Sequence, residues 1–544
     1  YISIINETIT NNIPNSSVFL MPDNKIIMIA NQGNLSIQIK GTNTSTMKIA
    51  CAVPVGDNQS LYNQYTVPVI QGTTLTTTYM NTSGVEPIKV DTQGDGEVDH
   101  IKYPDVSEIS PALYFPDFTD TNNANSWCSW MTIQNPNSEA VDVTIQMQSR
   151  AGDLLFQGNC IIPAHGASAL RPRDLVGADC AGTAVLTSNR TIIGSCQITR
   201  NSNEMCMTYN ALDRPTLKLY YADFTDTANP DSWRSWLVLQ NPNPAQANIS
   251  LEIRSRLGDL IYSGNRTIQA RSVAAIRPRD LAGTDLSGSA AINSDLPILG
   301  TCQITRNSNK MCMSYTASDH GSTALYYPDF TDTANPDGWR SWLVLQNPSA
   351  APANLNYEIR SRTGDLLYAG SDIIPAHGVN AVRPRNLAGA DCSGSVVVTS
   401  DQPIVGTCQI TRNSNEMCMS YNALDQSSTV LNYPDFTDTA NPDGWRSWLV
   451  LQNPTAADAS ITLEIRSREG DLLYGGDQII PAHRVNAIRP RSLVGSDCSG
   501  SAVVTSDQPL VGTCQITRNN NLMCMSYTAI AQNDKGGKSL GLKS

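Results

Sequence analysis

Fourteen cysteines are the most conspicuous reactive groups in this 544-residue chain. Eight of them form four pairs that each bracket a turn: Cys196/Cys206, Cys302/Cys312, Cys408/Cys418 and Cys514/Cys524. None has the close spacing of a zinc or haem site. A three-residue turn at Arg412-Asn413-Ser414 would set Cys408 directly opposite Cys418. Cross-strand disulfides are therefore expected in all four copies. Closing so short a loop would stabilise by roughly 2–3 kcal/mol in the chain-entropy model. Reduced core thiols are the alternative.

Cys128 and Cys160 have no counterpart elsewhere in the chain; the equivalent positions are Arg234 and Arg266, Arg340 and Asp372, Arg446 and Gln478. Two cysteines confined to the same stretch suggest a bond to each other. Cys180, Cys392 and Cys498 share one position, where a further copy has Leu286, so they read as buried free thiols. Cys51 has no obvious partner.

Tryptophan and arginine form the next constellation. If the strands around Trp342 and Arg360 made a hairpin, the two side chains would lie diagonally across it, within cross-strand reach. Trp236/Arg254, Trp342/Arg360 and Trp448/Arg466 would then be rungs of a cation–π ladder, worth about 0.5–2 kcal/mol each. The alternative is an aromatic platform for sugars. Arg171, Arg277, Arg383 and Arg489, and Asp117/Asp120 with their counterparts, suit ion pairs either within a domain or between neighbours.

Asp91, Gln93, Asp95 and Asp99 follow the opening of a calcium loop, with oxygen ligands at alternate positions and Gly96 at the turn. Lys102 stands where such a loop carries its bidentate Glu. The alternative is an acidic turn. Asn6, Asn15, Asn34, Asn43, Asn58, Asn81, Asn189, Asn248 and Asn265 each open an N-glycosylation acceptor triplet. No nucleophile elbow, zincin helix or phosphate loop is present, so an enzyme is not expected.

All eight tryptophans belong to a W-x-S-W motif that begins at Trp127, Trp233, Trp339 and Trp445, each 106 residues after the last. The C-Q-I-T-R-N motif begins at Cys196, Cys302, Cys408 and Cys514, with the same period. At that length each copy is a whole domain. Within a copy, alternating runs of four to nine residues are separated by Gly, Pro, Asn or Asp, with no sustained helical period. The fold expected is all-β: five consecutive immunoglobulin-like β-sandwiches. They are an N-terminal module at 1–107 and repeats at 111–216, 217–322, 323–428 and 429–532, followed by a tail at 533–544.

Residues 1–107, through "IPNSSVFLMP", "IKGTNTSTMKI" and "VDTQGDGEVDHIKYPD", resemble the small β-sandwich accessory modules of secreted prokaryotic hydrolases and surface proteins. The repeats resemble tandem sandwiches of prokaryotic cell-surface proteins. Such modules imply an extracellular or cell-surface place. A net charge of −12 argues against nucleic acid. No apolar run reaches the ~20 residues of a membrane helix. A start at Tyr1 fits a mature product whose leader has been removed.

The function expected is structural: a subunit of a surface filament, stalk or layer whose partners are copies of itself. Head-to-tail pairing through Tyr1–Thr10 or the tail would build it. An adhesin, or the carbohydrate-binding region of a larger hydrolase, is the second reading. Calcium in the N-terminal module is the one cofactor expected.

Overall fold

The computed structural model describes the strands of residues 1–110 and residues 112–532, apart from loops at 124–125, 201–204, 230–231, 307–310, 337, 413–416, 443 and 519–522. In the first 110 residues, side chains are described only at 38–39, 67–76 and 88–99. The chain divides into two compact units, Tyr1–Ser110 and Pro111–Ser544. The tail and the six acceptor asparagines from Asn6 to Asn81 lie outside the described residues.

The first unit is built of antiparallel strands, with Val67, Val69, Leu75, Ile88 and Val90 in its core. Ile2–Ile5 pairs with Thr8–Asn11 in a hairpin.

In the second unit every repeat is a two-sheet sandwich, with eight strands in the first repeat. These are Ala112–Asp120, Trp127–Gln134, Val141–Ser149, Leu154–Ile162, Ala167–Leu170, Cys180–Ser188, Ile193–Arg200 and Met205–Asn210. One sheet has the order first, sixth, third, fourth; the other has fifth, second, seventh, eighth. In the later repeats the sixth and seventh strands merge into one 21-residue strand that serves both sheets, as in Cys392–Arg412. Period-2 alternation sends Leu343, Leu345, Leu355, Tyr357 and Ile359 into the space between the sheets.

One short helix interrupts each sandwich: Pro172–Val176, Pro278–Ala282, Pro384–Ala388 and Pro490–Val494. Its local cause is Pro in the first turn and a left-handed glycine at the C-cap, Gly177 at φ 78° in the first copy. A buried carboxylate holds its start: Asp120 accepts the Arg173 backbone N–H at 3.0 Å.

The four repeats do not form a string. Each eighth strand packs against the eighth strand of the next repeat, and Met523–Thr528 of the last packs against Met205–Asn210 of the first. The second unit is therefore a closed ring. Its backbone joins are cyclic too. The Val273 N–H donates to the Arg150 carbonyl at 3.1 Å, Val379 to Arg256 at 2.8 Å, Val485 to Arg362 at 3.2 Å, and Ala167 to Arg468 at 2.8 Å.

Each closing contact spans hundreds of residues and seals polar groups from water, so losing one leaves a buried acceptor unpaired. Gln197 of the first repeat donates to Asp435 of the last. Gln197→Ala is expected to lower global stability by about 1–3 kcal/mol, the cost of an unsatisfied buried partner. Equilibrium denaturation reads this; a change below a few tenths of a kcal/mol would mean the junction is not closed in solution.

Candidate functional site

The cysteine pairs come apart on register. The seventh–eighth hairpin pairs Arg412 with Met417, so Cys408 faces Tyr421 and Cys418 faces Thr411. This register differs by three residues from the one that would join the two cysteines. An odd shift places side chains on opposite faces of a sheet. Cys408 points into its own sandwich, while Cys418 points out of it. The same holds for Cys196 and Cys206, Cys302 and Cys312, and Cys514 and Cys524; none of the four expected disulfides is formed. Cys128, on the second strand, and Cys160, on the fourth, are free thiols as well. Cys180, Cys392 and Cys498 are also free.

What the outward cysteines do instead defines the centre of the ring. Cys312 sits in the core of repeat one, Cys418 in that of repeat two, Cys524 in that of repeat three and Cys206 in that of repeat four. Each repeat plugs a thiol into its predecessor. The Cys418 thiol donates to the Cys312 carbonyl at 3.1 Å, and Cys206 donates to Cys524 at 3.1 Å. Serine hydroxyls follow the same path: Ser314 donates to the Thr208 carbonyl at 2.9 Å and Ser526 to Ser420 at 3.1 Å. Burial pushes the thiols of Cys196, Cys206 and Cys408 up to about 12, so they stay neutral.

The expected Trp–Arg ladder is absent for a topological reason. The second and third strands lie in opposite sheets, so they form no hairpin. Trp342 pairs in register with Gln409, whereas Arg360 pairs with Ser395. Arg254, Arg360 and Arg466 turn to Glu252, Glu358 and Glu464 at 2.8, 3.1 and 2.7 Å. The tryptophans find other cations. Arg383 lies 5.7 Å over Trp342 and Arg171 lies 5.8 Å over Trp130. Trp127, Trp233, Trp339 and Trp445 are covered by Arg200, Arg306, Arg412 and Arg518, each at 5.8 Å. Trp236 and Trp448, like Trp342, are 36% exposed.

The recurring aspartates divide their work. Asp120 and its counterparts are fully buried and bind the arginine before the short helix, as in Asp226–Arg277 at 2.8 Å. Asp223 is shared between repeats. Arg256 of the same repeat donates to one oxygen at 2.6 Å, and Gln409 of the next donates to the other at 2.9 Å. Asp117 with Arg150 and Gln303, Asp329 with Arg362 and Gln515, and Asp435 with Arg468 and Gln197 repeat the arrangement around the ring.

A cleft of 340 Å³ opens beside the Asp223 cluster, between repeats two and three. Trp233 and Trp342, one from each repeat, line it with Asp223, Arg256 and Gln409. Sequence reasoning missed this glutamine. Its place in all four C-Q-I-T-R-N motifs was the available signal.

The N-terminal acidic loop is held by its own amides. Asp91 accepts the N–H groups of Gly94 at 2.5 Å, Asp95 at 3.2 Å and Gly96 at 2.9 Å, and Asp99 accepts that of Thr92 at 2.6 Å. The Gln93 side chain is exposed. Among the described residues no three acidic, cysteine or histidine side chains are grouped to hold a metal. Asn189, Asn248 and Asn265 are exposed.

The segments joining the repeats carry a charge relay of their own. Arg214 reaches Asp319 at 3.0 Å, and His320 bridges Asp319 at 2.5 Å and Asp425 at 2.7 Å.

No family model matches this chain, and no curated protein does. A solved structure that aligns with it is that of dimeric latent PorU from Porphyromonas gingivalis, at 9% identity and a TM-score of 0.10. The alignment covers 63% of this chain, which spans 32% of the PorU chain. That likeness carries no argument about function.

Two outcomes follow from this chemistry. With free thiols throughout, unfolding in guanidinium without reductant should expose at least the 13 described cysteines to Ellman's reagent. Eight fewer would restore the four hairpin disulfides. Hydrogen bonds to Asp319 and then Asp425 raise His320 to about 10 from 6.5. A raised value means that the folded form holds an extra proton, so this stabilisation is complete below pH 6.5 and is lost as the pH climbs toward 10. Thermal melts across that window should fall, and His320→Gln should flatten the fall; parallel curves for the two proteins would remove the bridge from the account.

Proposed function

We propose that this protein is a non-enzymatic, extracellular structural subunit that assembles with copies of itself into a surface layer. The observation carrying this reading is the state of the sheet edges. The fourth strands, Leu154–Ile162, Leu260–Ile268, Leu366–Ile374 and Leu472–Ile480, each end their sheet and pair with a single neighbour. They present large apolar side chains to solvent: Ile161 is 69% exposed, Ile373 60% and Ile479 64%. Soluble proteins usually blunt such edges with charge or proline, because the free N–H and C=O groups recruit another strand.

The closed ring supports a layer over a stalk. Faces between repeats are already spent on one another, so growth must use the outer edges. Antiparallel pairing of like edges is a two-fold contact. Four such edges per ring extend an assembly in two dimensions, where a single head-to-tail contact would give a filament. The exposed Asn189, Asn248 and Asn265 suit an extracellular place.

Purified chain should form particles many times heavier than 58.8 kDa by light scattering, with sheets visible by electron microscopy. Replacing Ile161, Ile373 and Ile479 together by lysine leaves only the second repeat's edge, Leu260–Ile268, unaltered, and should reduce the assembly to a dimer or smaller with little change in melting temperature. A wild-type chain that stays monomeric at milligram-per-millilitre concentration would overturn the layer.

A further inference from the structure

We propose that the junctions between repeats are saccharide-binding clefts, up to four per chain, each specific for the apolar face and hydroxyl rim of a neutral pyranoside. This goes beyond the structural reading and does not depend on assembly.

The cleft between repeats two and three combines the two things a sugar needs. Trp233 and Trp342 supply flat apolar surface against which the C–H face of a pyranose ring can stack. Asp223, Arg256 and Gln409 supply fixed polar groups at the same opening. They are pre-ordered: Arg256 and Gln409 are already held by the two oxygens of Asp223, at 2.6 and 2.9 Å. Little side-chain entropy is then lost on binding, which favours affinity. At 340 Å³ the space is at the lower end of the ~300–1,000 Å³ range of small-molecule sites.

Charge selects a neutral ligand. Arg256 is paired with Asp223, so the cluster carries no net charge with which to draw an acidic sugar. The second ring is half accounted for. Arg383 stacks on Trp342 at 5.7 Å, yet the indole remains 36% exposed beside the opening. A tryptophan that only sealed two domains together would be buried.

The positions equivalent to Trp233 and Trp342 at the remaining junctions are Trp127 and Trp236, Trp339 and Trp448, and Trp445 and Trp130. In the last of these, Arg468 stands in the place of Arg256, and its buried Nη1 makes no hydrogen bond. Several weak sites on one rigid ring would act on a polysaccharide with avidity well beyond any single site.

The test uses the full chain against an immobilised panel of neutral oligosaccharides (cello-, xylo-, manno- and galacto-series) with sialylated glycans as the charged contrast. Tryptophan fluorescence and calorimetry on the best binder give the stoichiometry. Expected are binding to a neutral series, more than one site per chain, and loss of one site in Trp342→Ala. The variant with Trp130, Trp236, Trp342 and Trp448 all changed to Ala should bind at least tenfold more weakly. Ala381 also lines the cleft. Ala381→Trp fills it without removing any partner of the Asp223 cluster, and should block that site even if the fourfold variant fails to fold. No binding to any neutral series, preference for the sialylated glycans, or binding unchanged in Ala381→Trp with a full complement of sites would each overturn the proposal. The lysine edge variant should bind as the wild type does, which separates this site from assembly.

Discussion

A carboxylate shared between two domains underlies the architecture of the second unit. Asp117, Asp223, Asp329 and Asp435 are each almost sealed from water, at 2 to 4% exposure. A buried carboxylate is costly unless both oxygens are met. One oxygen is met by an arginine of its own repeat, but the other waits for a glutamine from the next. A single sandwich therefore leaves its aspartate half satisfied, and so would the last member of a linear array. Only cyclic closure, with Gln197 reaching back to Asp435, meets all four. Buried ion pairs often contribute little net stability. Here the demand for a second partner makes the cluster a device for specifying which faces meet.

The cysteines complete that specification by packing. The eighth strand, Met-Cys-Met-Ser-Tyr in three copies, is buried on both faces. Its methionines and tyrosine fill their own sandwich, and its cysteine fills the neighbour's. A thiol suits the place, being small, apolar and able to donate weakly to the adjacent carbonyl. Burial keeps it protonated and unreactive. Disulfides inside each hairpin would have needed the opposite face and would have removed the plug. The inner side of the ring is thus dry and fixed, while the fourth strands, at the far edge of the other sheet, pair with one neighbour only and expose large apolar side chains.

Much of this was legible before any coordinates. Four landmarks at an unbroken period of 106 residues required four equivalent domains, and alternation with frequent turns required sandwiches. The signals of the short helix, Pro at its start and Gly at its end, were also on view in Arg-Pro-Arg-Asp-Leu-Val-Gly. The unalternating Met-Cys-Met run carried a further signal, since a strand apolar at successive positions is buried on both sides. That run implied a second partner for the eighth strand. The expected disulfides failed on register, and the expected ladder failed on pairing strands by adjacency. Strands two and three are consecutive and suggest a hairpin, but they belong to opposite sheets, so Trp342 meets Arg383 instead of Arg360.

By itself the sequence determined that the repeats are alike, that they are β-sandwiches, and which side chains alternate inward. These are local properties, set by side-chain period and turn chemistry. Tertiary structure alone decided hairpin register, sheet membership and closure. A register three residues away from the one that joins the cysteines put the two members of each pair on opposite faces of the sheet, and no local preference distinguishes the two. The ring depends on contacts such as Asp435 with Gln197, 238 residues apart. Their energy exists only once both domains have folded and met, so it leaves no periodic trace along the chain.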